Sequence, residues 1–182
     1  MEVAQFPLKA TFLALPLEGE AKWEFQRLQS LLSTFDDFLS FQNPQSPHLT
    51  LQYWPNVMEI EYHQIIDQAR RVASKHTPFT LKIEGADTFG SKGEDKVLFL
   101  SVPFSEELAK LKKSCPWPSG KPFHAHITLA RIKHPQRFVV HKKEIMKLLK
   151  DASLEASIEM LRLYAEINGK KQTPITEFLL GA

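Results

Sequence analysis

The sequence predicts an α+β protein built as a bilobal pseudo-twofold duplication: two mainly antiparallel sheets with outer helices and a central cleft. Three observations carry the prediction. HLTL begins at residue 48 and HITL at residue 126, so the motif recurs at an offset of 126 − 48 = 78 residues. Each copy follows a proline, Pro47 or Pro122, and precedes a helical pattern and then a strand pattern. Each copy also places its histidine and threonine two residues apart, on one face of a strand. A four-residue match recurs by chance; two copies in matching contexts mark a duplication.

The elements follow in order. Leu8 to Leu15 reads as a first strand ended by Pro16, and Glu18 to Phe35 as a helix with Trp23, Leu28, Leu31, Leu32 and Phe35 on its apolar side. A polar connection holds a short strand near Phe38 to Phe41. In His48 to Trp54, Leu49, Leu51 and Tyr53 share one parity and His48, Thr50 and Gln52 the other; Pro55-Asn56 breaks the run. Val57 to Lys75 is the strongest helix, with Ile60, Ile65, Ile66, Ala69 and Val72 in a stripe. Phe79 to Ile83 alternates as a strand. The charge run Lys92 to Lys96 reads as a solvated loop, and Lys96 to Val102 as an apolar strand. Ser105 and two glutamates open a helix reaching about Lys113. After the breaker-rich PWPSGK loop, Phe123 to Arg131 places His124, His126, Thr128 and Ala130 on one face and Ile127 and Leu129 on the other. A helix over Lys142 to Leu149 and a long strand over Ala156 to Ile167 follow. Asn168-Gly169 marks a hairpin, with Lys171 to Leu180 returning. Residues 1–182 form one expected domain, with repeat units of about 48–90 and 126–167 in two interdependent lobes, each too small to bury a core alone.

Composition is ordinary for a folded protein: 182 residues, 43% hydrophobic and 24% charged. A net charge of +2 with seven neutral histidines lacks the dense basic surface of a protein that coats long nucleic acid, but leaves room for a site taking a short anionic end. Cys115 is the single cysteine, so no intramolecular disulfide forms; it reads as a bland, partly buried thiol. No apolar run is long enough to cross a bilayer, and the opening segment, with Glu2 and Pro7, reads as a strand rather than a signal peptide. A reducing cytoplasmic setting, no membrane and a monomer with no obligate protein partner are the expectations.

The two motifs resemble the paired signatures of the 2H phosphoesterases, and within them the bacterial and archaeal RNA 2′,3′-cyclic phosphodiesterases, also called the 2′-5′ RNA ligase family. FLALPL at 12–17, FTLKIEGADTFG at 79–90, VLFLSV at 97–102, PFHAHITLAR at 122–131 and LRLYAEINGKKQTPITEFLL at 161–180 resemble the family over almost the whole chain. Two departures fall where the cleft wall would be. Ala10 and Thr11 stand where the family commonly carries a base, and Tyr53-Trp54-Pro55 where it often shows an aromatic, an apolar residue and glycine.

The resemblance implies hydrolysis of RNA 2′,3′-cyclic phosphate ends to a 2′-phosphate, with reversible 2′-5′ ligation at the same site. In-line attack needs a base on one side of phosphorus and an acid on the other, and histidine serves both near neutral pH. Family likeness and geometry assign His126 as base toward water and His48 as acid toward the leaving 3′ oxygen; the reverse assignment uses the same pair. Thr50 and Thr128 share their histidines' faces and suit donation to nonbridging oxygens. Neither a metal nor another cofactor is required. The resemblance makes Arg131 a phosphate or ribose contact, although simple strand parity sets it opposite His126. It makes Phe12 a cleft-lining residue. Trp54, like Tyr53 and Phe89, offers a ring for base stacking, and His124 a second imidazole beside His126. Other readings are a phosphodiesterase for a small cyclic nucleotide phosphate or a 2′-5′ oligonucleotide, and a nucleotide-binding protein without turnover.

Overall fold

The structure, a computed structural model, describes residues 5–182. Residues 1–4, part of the opening read as no signal peptide, lie outside the described residues. Strand β1 (Leu8–Pro16) leads to helix α1 (Gly19–Leu31), a 3₁₀ turn (Ser33–Phe35), β2 (Leu39–Phe41) and β3 (His48–Val57). Helix α2 (Glu59–Ser74) precedes β4 (Phe79–Glu84), β5 (Ala86–Ser91), β6 (Glu94–Ser101) and α3 (Glu106–Ser114). The chain continues through β7 (His126–Ile132), α4 (Pro135–Leu149), β8 (Ser153–Ile158), β9 (Met160–Ile167) and β10 (Lys170–Leu179).

One sheet has the order β10-β9-β1-β3 and the other β2-β7-β6-β5. All their pairings are antiparallel, so the α+β, two-lobed architecture is as the sequence predicts. The closing strands of the two strand–helix–strand units, β4 and β8, pair with each other in a third, two-stranded sheet, Thr80 opposite Ser157. The helices bury one face each. Helix α1 buries Ala21, Phe25 and Leu28, and α2 buries Ile65, Ala69 and Val72, both at the i, i+4, i+7 spacing of a helical stripe. Full burial of each large apolar side chain contributes about 1.5–3 kcal/mol over exposure.

Several expectations are corrected. Trp23 and Ile60, assigned to buried stripes, are 69% and 74% exposed. Strand β3 does not stop at Pro55 but runs to Val57; it is an edge strand, where a missing N–H is tolerated. The run Ala156 to Ile167 is two strands in different sheets, split at Glu159. Residues 92–96 are not all loop: Lys92 and Gly93, with φ of 54° and 76°, form a two-residue turn, and Glu94 to Lys96 open β6. Helix α4 starts at Pro135, a residue suited to the first helical turn, rather than at Lys142. The Asn168-Gly169 hairpin stands as predicted, with φ of 52° and 75°.

Candidate active site

Strands β3 and β7 bring the two motifs to one cleft of about 510 Å³, lined by His48, Thr50, His126 and Thr128. The two strands share a distortion. Ala14 pairs with Thr50 and Leu13 with Gln52, leaving Leu51 as an extra residue, a β-bulge. On β7, Phe99 pairs with Thr128 and Leu98 with Ala130, leaving Leu129 extra. Each bulge shifts the alternation by one residue. Tyr53 therefore turns to the face of Thr50, and Arg131 to the face of Thr128, and both line the cleft. Simple parity had set both on the opposite face.

A bulged residue leaves ladder groups unpaired, and buried carbonyls need donors. The Lys112 ammonium, from α3, donates to the Leu51 carbonyl at 2.7 Å. The Gln29 side-chain amide, from α1, donates to the carbonyls of Gln42 at 2.8 Å and Leu129 at 3.2 Å, and the Gln42 N–H also reaches Leu129. One side chain from an outer helix thus secures each bulge.

Both motif histidines are oriented by the same local bond. His48 Nδ1 lies 2.7 Å from the Ser46 carbonyl and His126 Nδ1 2.7 Å from the His124 carbonyl. A carbonyl only accepts, so Nδ1 carries the proton in each ring and Nε2 is left for a ligand. The surroundings differ. His48 is 9% exposed and lies face to face with Phe12 (centroids 4.7 Å apart), which stacks in turn on Tyr164 at 4.8 Å. His126 is half-buried and meets Phe89 and Phe99 at steep angles. Burial lowers the His48 pKa; the Ser46 bond opposes that shift and repulsion from His126 adds to it. Burial likewise lowers His126, opposed by the bond to the His124 carbonyl and reinforced by the His124 ring.

Among the described residues the cleft lining holds the cations Arg131 and Lys171 and no carboxylate. A second hollow, of about 370 Å³, carries Glu18, Glu20, Glu155 and Glu159, whose charges oppose a phosphate. Among the described residues no three His, Cys, Asp or Glu side chains converge as a metal-ligand group. Cys115 is half-buried, and burial pushes its thiol up to about 11, in keeping with an inert role.

Of the residues singled out in the sequence, His48, Thr50, His126, Thr128, Arg131 and Phe12 line the cleft. Ala10, at one of the two departures from the family pattern, lines it as well. Trp54 is not among the lining residues; its ring packs edge-on against Trp117, which donates to Gln68. His124 is exposed beside His126 and contributes its carbonyl to that ring. Sequence reading missed Ser40, Phe41, Gln42, Lys171 and Gln172, all in the lining. The short strand β2, itself read in the sequence, and a bulge in β10 place most of them; what the sequence did not carry is the pairing that turns them to the cleft.

Two lobes that each present a His-x-Thr strand to one cleft define the 2H phosphoesterase fold. The family profile described as the 2′-5′ RNA ligase superfamily matches residues 15–170, and the chain belongs to that superfamily. It is 27% identical to an RNA 2′,3′-cyclic phosphodiesterase of Geobacillus stearothermophilus, over 94% of this chain but only 57% of that protein. It is 26% identical to one of Methanothermobacter thermautotrophicus, over 69% of this chain and 72% of that protein. The fold matches TT0787 of Thermus thermophilus (TM-score 0.73, 22% identity, 95% of this chain and 98% of that one). It also matches apo E. coli LigT (TM-score 0.72, 19% identity, 98% and 100%). At such identities these two likenesses speak for the fold alone.

Proposed function

We propose that the protein hydrolyses 2′,3′-cyclic phosphate ends of RNA to 2′-phosphates without a metal, and that the same site runs 2′-5′ ligation in reverse. The observation that carries this reading is the cleft lining, which among the described residues holds two histidines with free Nε2 atoms, two threonine hydroxyls, two cations and no carboxylate. That set suits one phosphate monoanion flanked by an acid and a base. The family supports the substrate, since both relatives named above are RNA 2′,3′-cyclic phosphodiesterases. E. coli LigT, similar in fold, forms complexes with 3′-AMP and with phosphate. RNA ends and small cyclic-phosphate nucleotides present the same reacting group, and a cytoplasmic setting belongs to this reading.

In the proposed step His126 Nε2 takes a proton from water as its oxygen bonds to phosphorus. The P–O3′ bond breaks, and His48 Nε2 gives its proton to the leaving 3′ oxygen. Thr50 and Thr128 donate to the nonbridging oxygens, where charge shifts in the transition state. Arg131 contacts the phosphate or ribose. Family likeness assigns His48 as the acid; in that role its ring carries a second proton at Nε2, a form that burial opposes and the Ser46 carbonyl favours. His124 serves by orienting His126. For the base, Tyr53 and Phe41 offer rings within the lining, whereas Trp54 is placed to support the neighbouring wall. Residues 48–90 and 126–167 act as repeat units of one domain, a reading supported by the pairing of β4 with β8, the strand that follows the helix in each unit.

The test is turnover of a short RNA ending in a 2′,3′-cyclic phosphate by the native protein and by His48→Asn and His126→Asn. Loss of about 10²- to 10⁴-fold in rate in each variant is expected. Full activity in either folded variant would refute the assignment.

A further inference from the structure

We propose that Gln172 is a positioning residue for His48, acting through Ser46 from the far end of the chain. The Ser46 hydroxyl donates to Gln172 Oε1 at 2.7 Å, across a separation of 126 residues. The carbonyl of the same Ser46 receives the Nδ1–H of His48 at 2.7 Å. Ser46 is itself 9% exposed, so its hydroxyl has little access to water as a substitute partner.

Thr173 pairs with Ala165 and Lys170 with Ile167, so three steps on β10 oppose two on β9, and the bulge carries Lys171 and Gln172 into the cleft lining. Gln172 has φ of 57°, in the left-handed region that glycine or asparagine occupies more readily. A residue chosen for the turn alone would be one of those two. Glutamine meets the backbone cost and also has the reach to hold Ser46.

The two lobes differ here. The carbonyl that orients His126 belongs to His124, an exposed residue whose side chain makes ring contacts only among the bonds described. The carbonyl that orients His48 sits in a tethered segment: Gln26 donates to Pro44, Leu17 to Pro47, and Ser46 to Gln172. With Oε1 taken by Ser46, the Gln172 amide N–H₂ is the end left for the cleft. The inference rests on the proposed function for its kinetic readout but not for its spectroscopic one.

The experiment joins NMR of the His48 ring in ligand-free protein with steady-state kinetics on cyclic-phosphate RNA. In the native protein the Nδ1–H tautomer of His48 dominates above its pKa. Gln172→Gly, which relieves the left-handed strain, is expected to match or exceed the native Tm. It should also lose part of that tautomer signature and drop about tenfold in kcat with little change in KM. Ser46→Ala should do the same, and the double variant should add nothing further. Gln172→Glu keeps the acceptor, so it should restore the His48 signature while raising KM by placing a carboxylate beside an anion. A native His48 signature and native kcat in Gln172→Gly, or additive losses in the double variant, would overturn the proposal. Absence of turnover by the native protein would instead defeat the proposed function, with the NMR result still deciding the role of Gln172.

Discussion

Tyr53 and Arg131 occupy the same place in the two lobes: each lies five residues beyond its motif histidine, just past a β-bulge that turns it into the cleft. The duplication has thus kept a geometry and varied the chemistry, an aromatic ring on one side and a guanidinium on the other. The asymmetry is local to these two positions, since Lys171 on β10 gives the Tyr53 lobe a cation and Phe41 on β2 gives the Arg131 lobe a ring.

Arg131→Met should reduce kcat/KM by about 10- to 100-fold, the cost of one charge-assisted hydrogen bond to phosphate. The loss should fall mainly on KM, with the phosphate part of the substrate affected whatever its base. Tyr53→Ala should instead change the ranking among nucleobases. Equal losses across all bases for both variants in steady-state assays would contradict the division.

The bulges depend on their caps. Gln29→Leu leaves the Gln42 carbonyl without its side-chain donor and the Leu129 carbonyl with only the Gln42 N–H. A destabilisation of about 1–3 kcal/mol is expected, together with a fall in activity as Arg131 loses its placement. Lys112→Met should act likewise on the Tyr53 side. Urea titration and kinetics on the same samples check both, and a stable variant with native kcat/KM would separate bulge from function.

Stability should fall on the acid side. The folded pKa values of His48 and His126 both lie below the ordinary imidazole value, so the unfolded chain binds protons that the folded chain does not. Their contribution is intact above about pH 6.5 and is lost as pH falls through the folded values. His48→Gln should lessen that acid slope. Denaturant melts at pH 7.5 and 5.5 test the sign, and an unchanged difference between them in the variant would show that His48 is not a source.

Cys115 should resist thiol reagents at pH 7.5 in the folded protein, because burial raises its pKa to about 11 and leaves almost no thiolate. Rapid labelling without unfolding, followed by mass spectrometry, would contradict this.

The fold was legible in the sequence wherever a pattern had one physical cause. The repeated His-x-Thr strands, the Asn168-Gly169 turn and the Ser105 cap, whose hydroxyl accepts from the Leu108 N–H, all stand as read. Illegible features were those in which tertiary pairing overrides local pattern. Parity along HLTLQY and HITLAR misplaced Tyr53 and Arg131, because a bulge needs a partner strand and a distant cap to exist. Strand β5 was hidden by its glycine and polar residues; Gly90 is there because a Cβ would run into the Glu94 carbonyl across the hairpin. Lys171 and Gln172 reached the site through a backbone irregularity that residue types alone do not specify.

In the proposed reaction two histidines open a cyclic phosphate at one cleft without a metal. Its most direct test is phosphorus NMR of the product formed from a 2′,3′-cyclic-phosphate RNA by the native protein in EDTA. The proposed chemistry predicts turnover unaffected by EDTA and a single 2′-phosphate product, lost in His48→Asn and His126→Asn. A 3′-phosphate product, or activity abolished by EDTA and restored by a divalent metal, would contradict it.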